Sequence, residues 1–255
     1  MYFTSTSPSI LLLLAVAALP SVSAVVASSS NPLPPYWGPF WSAPFEQSIT
    51  VPGYQFNDTV GFLYDATTKP VGSSLYLHGV GQHDEICTGV AGHEYSNERC
   101  NLLASTDLWR YAIYPDTKQC CKVCDTADYC GIVNPAWLQV NSTYEGEKVI
   151  NGLTCEGFMK EGGEQNFYYA EKTTQQPCLY YEGYPVLPDT SNYWRFITSN
   201  FSRAPIPSSS FDVPVGFGCE FVCIKSATTY SERLAKRAAL KIGNPITITS
   251  MPPKV

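Results

Sequence analysis

A chain of 255 residues, 44 % of them hydrophobic, carries enough apolar material to bury a core as one domain. With 16 Lys and Arg against 22 Asp and Glu, a formal net charge of −6, it lacks the clustered cations that phosphate backbones require, which excludes nucleic acid as a partner. No run is apolar over the ~20 residues of a membrane-spanning helix, so the sequence predicts a chain that is not transmembrane.

Residues 1–24 read as a signal peptide, because "SILLLLAVAALPSVSA" is a short apolar run that ends on the small-x-small pattern Val22-Ser23-Ala24. The predicted address is secreted or lumenal: extracellular, vacuolar or lysosomal. Cysteines there are usually paired, and the count of ten is even. Sequons at Asn57, Asn141 and Asn200 agree with that route and predict a glycoprotein.

Residues 25–45 hold "SSSNPLPPYWGPFWSAP", too rich in proline for a helix or a central strand, and read as an extended N-terminal arm. Residues 46–225 read as one β domain, in which short runs of Tyr, Phe, Thr and Val are punctuated by turn residues. In "LWRYAIYP" Trp109, Tyr111 and Ile113 alternate with Arg110 and Ala112, as on a strand with one buried face. Asn151-Gly152 is a two-residue hairpin signal and Gly162-Gly163 turns the chain again into "QNFYYAEKT", giving a meander of three antiparallel strands. Residues 226–255 form a basic tail. Its "SERLAKRAALKIG" predicts a short helix with Leu234, Ala238 and Ile242 on one face, read as a solvated extension rather than a membrane anchor.

"DTKQCCKVCDTADYCG" packs four of the ten cysteines into the stretch from Cys120 to Cys130. A zinc site needs a second ligand pair and a thioredoxin-like motif needs a βαβ context, and neither is present, so disulfide staples are the expected reading. His78, His83 and His93 stand beside Asp84, Glu85 and Glu94 in "LHGVGQHDEICTGVAGHE". With no helix to fix ligand spacing, they read as a polar surface loop rather than a metal site. "HEYSN" lacks a zincin's second histidine and no Gly-x-Ser-x-Gly elbow occurs, so no catalytic residue and no enzyme activity are expected.

The segments "YAIYPDTKQCCKVC", "LQVNSTYEGEKVING", "NFYYAEKTTQQPCLYY" and "FSRAPIPSSSFDVPVGFGC", spread from about Gly61 to Cys223, resemble in order those of ependymin-related secreted glycoproteins. The resemblance implies a mainly β fold of two stacked, curved antiparallel sheets. Such a fold is half-barrel-like, similar to bacterial lipoprotein carriers, with few short helices and a deep apolar pocket for lipids or other hydrophobic ligands. It implies a Cys120–Cys219 bridge and a Cys100–Cys223 bridge. The family's third bridge joins the cysteine matched by Cys178 to one near the mature amino terminus, and the stretch from Val25 to Ile86 has no cysteine. Calcium binding in the family maps onto no named residue here, and no other cofactor is expected.

The residues themselves offer a substitute third bridge, because Cys155 and Cys178 lie on strands flanking the "QNFYYAEKT" strand. Cys87, Cys121, Cys124 and Cys130 then make two local bridges. Two function classes stay open. In one, a non-catalytic binding protein holds a lipid or other hydrophobic small molecule against Trp109, Tyr111, Ile113, Phe167, Tyr169, Trp194 and Phe196. In the other, an extracellular matrix or cell-adhesion glycoprotein, with calcium as its candidate ion, has those aromatics simply filling its core. A homodimer is compatible with either.

Overall fold

The structure is a computed structural model that describes residues 31–227 apart from 52–53, 81–83, 129, 162–164 and 183–190. The expected signal peptide, His83 and the tail beyond Ala227 lie outside the described residues.

Eleven strands follow in chain order: β1 Phe40–Val51, β2 Tyr54–Asp65, β3 Ser73–His78, β4 Cys100–Ala104, β5 Trp109–Tyr114, β6 Gln119–Asp125, β7 Ser142–Ile150, β8 Leu153–Glu161, β9 Gln165–Glu171, β10 Pro177–Glu182 and β11 Ser191–Phe196. A single helical turn, α1 (Glu85–Thr88), is capped by Asp84, whose carboxylate accepts from the amides of Ile86 and Cys87. The expected mainly antiparallel β fold is what forms. Its strands join into one open sheet in the order β6-β5-β4-β3-β2-β1-β11-β10-β9-β8-β7. Two meanders, β1–β6 and β7–β11, are hydrogen-bonded to each other where β1 pairs with β11, so one curved sheet is continuous where two stacked ones had been expected.

β1 begins at Phe40, within the proline-rich stretch read as an extended arm. Pro44 is tolerated in this central strand because its carbonyl side faces the end of β11, where Ile197 N–H donates to Pro44 O at 3.0 Å. The N–H that proline lacks points to the same side, past the last ladder rung at Phe45–Phe196, so no ladder bond is lost. The Asn151-Gly152 hairpin forms as expected. Both residues have positive φ, 51° and 81°, the backbone of a type I′ turn, and β7, β8 and β9 make the meander.

Alternation assigns the two faces. On the face we call inner, Trp41, Phe45, Val60, Phe62, Tyr64, Tyr180 and Phe196 form one core, and Leu138 joins it from the β6–β7 connection. On the outer face, Leu103, Tyr111 and Ile113 pack beneath Phe211, Cys219 and their neighbours in the chain that follows β11. A second outer cluster gathers Cys155, Tyr169 and Cys178 with Phe167 and Leu179. Strand β5 was expected to bury one face. It buries both, with Ala112 at 0 % exposure, because α1 and its loop cover its inner side while the segment around Phe211 covers its outer side.

The residues linking β6 to β7 connect the two edges of the sheet and cross its inner face as a strap. Ile132, Trp137 and Leu138 pack onto the inner core, and Tyr64 Oη donates to Val133 O at 2.6 Å. Gly72 has φ +82° and Ile132 Cδ1 lies 2.3 Å from where its Cβ would stand, so the strap seats only over glycine.

All ten cysteines pair. The expected Cys120–Cys219 and Cys155–Cys178 bridges are present. The expected Cys100–Cys223 bridge is not: Cys100 joins Cys87 beneath α1, and Cys223 joins Cys121. The physical reason is the alternation of β6. Cys120 faces outward, while Cys121 packs with the inner cluster of Cys87, Cys100 and Ala112, to which Cys223 is also brought. Cys124–Cys130 is therefore the one purely local clip within the stretch from Asp116 to Gly131, where two local bridges had been expected from Cys87, Cys121, Cys124 and Cys130. Of the sequon asparagines, Asn141 and Asn200 are exposed on turns and Asn57 is half-buried on β2.

Candidate functional site

The inner face is built from rows of side chains set by register. On β1, Trp41, Phe45 and Gln47 alternate with outward Ser42, Pro44 and Glu46, and they stand opposite Tyr64, Val60 and Asp58 of β2. On β11, Trp194 and Phe196 stand opposite Gln47 and Phe45. Tyr76 follows from β3, Tyr180 from β10 and Tyr168 from β9.

These rows join rings into a belt over six neighbouring strands, β3 to β9 in sheet order. Tyr76 meets Phe62 at 4.3 Å between centroids and Trp194 at 5.8 Å, edge to face. Trp194 stacks on Phe45 at 4.8 Å and meets Tyr180 at 4.6 Å; Tyr180 meets Tyr168 at 4.6 Å, and Tyr168 meets Trp137 of the strap at 4.5 Å. Tyr76 and Trp194 touch although β2 and β1 lie between their strands, a backbone separation of ~14 Å in a flat sheet. The sheet therefore curls toward this face and its rings lean over the strands between. Tyr76, Trp137, Tyr168 and Trp194 are only partly buried, which leaves an edge of aromatic surface beside the strap.

One end of the belt is polar. Gln47, 5 % exposed, donates from Nε2 to Asn192 Oδ1 at 3.2 Å, and Trp194 Nε1 donates to the same oxygen at 3.1 Å. His78, on the face of Tyr76 and stacked along it, lies with Nδ1 3.5 Å from Asp58 Oδ2 and Nε2 3.2 Å from Asp84 Oδ2. Burial opposes charge on His78, but the carboxylates of Asp84 and Asp58 outweigh it and raise its pKa to about 9. The ring is a cation at neutral pH with both nitrogens facing carboxylates, so it is not available as a general base.

The histidines thus differ from the surface loop expected of them. His78 is 3 % exposed on a strand, and His93 is 8 % exposed, its ring stacked on Tyr114 at 3.6 Å with Nε2 2.7 Å from Gln119 Oε1. Among the described residues no three His, Cys, Asp or Glu side chains converge as a cation site. Two sequence signals pointed to His78: it continues the period-two row of Ser74 and Tyr76, and Asp84 directly precedes the acidic start of a helical turn. Gln47 and Asp58 carried no signal beyond alternation.

The seven side chains expected to line one pocket do not share a face. Trp194 and Phe196 are inner, in the belt and its core. Trp109, Tyr111 and Ile113 are outer and covered by the segment around Phe211, and Phe167 and Tyr169 are outer in the Cys155–Cys178 cluster. A cavity of about 470 Å³ opens beside Glu46, Leu153, Glu171 and Arg195. Glu46, Glu171 and Arg195 give it charged walls, and of the seven only Phe196 lines it.

Fold and site together define a class: a disulfide-stapled, single-sheet β protein whose curled face carries an aromatic belt ending in buried polar groups. No family model and no curated protein sequence matches the chain. Among solved structures, it is similar to an uncharacterised conserved protein from Thermus thermophilus, at 11 % identity and TM-score 0.45 over 71 % of this chain and 88 % of that one. It is also similar to a LolA superfamily protein from Nitrosomonas europaea, at 8 % identity and TM-score 0.32 over 68 % and 90 %. A putative outer membrane lipoprotein-sorting protein domain from Vibrio parahaemolyticus gives 10 % identity and TM-score 0.32 over 69 % and 90 %. Among the described residues no helix is long and apolar enough to cross a membrane. Five disulfides point to folding in an oxidising compartment.

Proposed function

We propose that this chain is a secreted or lumenal glycoprotein, of ependymin-related kind, that binds one lipid or other hydrophobic molecule against its inner face and catalyses nothing. The observation that carries the reading is the belt: rings from six strands meet on one face of an open sheet, and three of them, Tyr76, Tyr168 and Trp194, stay partly exposed beside the strap with its Trp137. Contiguous exposed aromatic surface of this kind is the chemistry of an apolar binding site. A buried methylene contributes about 0.8 kcal/mol, so a dozen of them against the belt yield about 10 kcal/mol before association costs, enough for micromolar binding. Titration with a fluorescent lipid analogue should saturate near one per chain. Trp194→Glu should abolish saturation while the circular dichroism of the sheet persists, and Trp109→Glu, on the opposite face, should leave the affinity unchanged. An absence of saturation across several lipid classes would overturn the reading.

One observation favours the adhesion or matrix reading. Phe221, Val222 and Ile224 are 67 %, 63 % and 77 % exposed on the segment that pairs with the edge of β6, an apolar row suited to a protein partner. If lipids fail to saturate the chain, this row is the surface to test next.

A further inference from the structure

The polar end of the inner face holds a buried acceptor without a hydrogen-bond partner among the described residues. Gln47 is nine-tenths buried, and its Oε1 has no hydrogen-bond partner. The amide cannot be turned to relieve it, because Nε2 already donates to Asn192 Oδ1, and turning it would set oxygen against oxygen. Directly across the β1–β2 ladder stands Asp58, whose Oδ1 accepts from the amides of Thr59 at 2.8 Å and Val80 at 3.0 Å. Its Oδ2 is buried with only the 3.5 Å ion-pair contact to His78. Facing pairs on one side of an antiparallel ladder have Cβ atoms about 5 Å apart, so the Asp58 carboxylate stands beside Gln47 at the edge of the belt. Nearby donors are turned elsewhere: Trp194 Nε1 donates to Asn192 Oδ1, and the two nitrogens of His78 face Asp58 Oδ2 and Asp84 Oδ2. Trp37 Nε1, a buried donor without a hydrogen-bond partner, lies at the far end among Trp41 and Phe196. Charge points the same way, since His78 brings one positive charge to two carboxylates.

We propose that the ligand is an amphiphile whose head donates a hydrogen bond, from a hydroxyl or an ammonium, to Gln47 Oε1 beside the Asp58 carboxylate, and that carboxylate and phosphate heads are rejected. This rests on the lipid-binding reading and names the class of lipid. A buried acceptor without a donor is costly, a cost that a matched head recovers and an anionic head worsens.

Tetradecanol, tetradecylamine and tetradecanoate, below the concentrations at which they aggregate, are competed against one fluorescent lipid on the full glycosylated chain. The alcohol or the amine should bind about tenfold or more tighter than the carboxylate, the worth of one satisfied buried acceptor. Which of the two is tighter tells hydroxyl from ammonium. Gln47→Leu should collapse that preference while the chain still binds. Gln47→Glu, which keeps the shape and adds charge, should raise the amine's advantage over the alcohol. Equal affinities, or a tighter carboxylate, would overturn the head-group proposal and leave lipid binding standing; failure of all three to compete, and of the reporter to saturate, would overturn both.

Discussion

His78 shows how one residue ties sequence to stability. It joins three pieces of chain, taking Asp58 from β2 and Asp84 from the cap of α1 while standing on β3. Its pKa rises from 6.5 to about 9 on folding, so the folded state binds the proton more tightly than the unfolded one. The stabilisation is therefore complete below pH ~6.5 and lost as pH climbs through 9, and it amounts to something on the order of 3 kcal/mol. Thermal melts of the wild type and of His78→Gln should differ most near pH 6 and converge toward pH 9.5. A gap that stays constant over that range would show that the histidine is neutral in the fold. Sequence reasoning read this residue as part of a polar loop because polarity is a local cue, whereas the carboxylates that bury it arrive from the preceding strand and from a turn downstream.

At the scale of elements, what the sequence made legible was local: the Asn151-Gly152 turn, the alternation of β5 and the β7–β9 meander follow from backbone chemistry within a few residues. What it hid was which face each row would occupy. Trp109, Tyr111 and Ile113 carry the same period-two pattern as Trp41 and Phe45, and only the sheet order and the covering segments tell an outer core from an inner belt. Disulfide pairing behaved likewise. Cys120–Cys219 followed from the family resemblance, and Cys121–Cys223 depended on the one-residue shift that turns Cys121 to the other face. The Cys120–Cys219 bridge pins the segment around Phe211 over the outer core, closing a sequence separation of 99. Its removal by paired Cys→Ser substitution should cost about 4–5 kcal/mol in the loop-entropy account. Urea midpoints would record the drop, and an unchanged midpoint would mean that the apolar contacts of Phe211 and Phe217 hold the segment unaided.

For the molecule as a whole, the two faces divide the work. The outer face is closed by the chain after β11 and by the Cys155–Cys178 cluster, whereas the inner face is crossed by one strap and keeps aromatic edges open. Function is therefore assigned to the inner face, and a photoreactive lipid tests that most directly. A lipid with a diazirine near the end of its chain, bound and irradiated, should mark peptides containing Tyr76, Tyr168, Trp194 and the strap residue Trp137. Labelling concentrated on Trp109, Tyr111, Phe167 or Tyr169, or labelling that a competing unlabelled lipid does not reduce, would contradict the account.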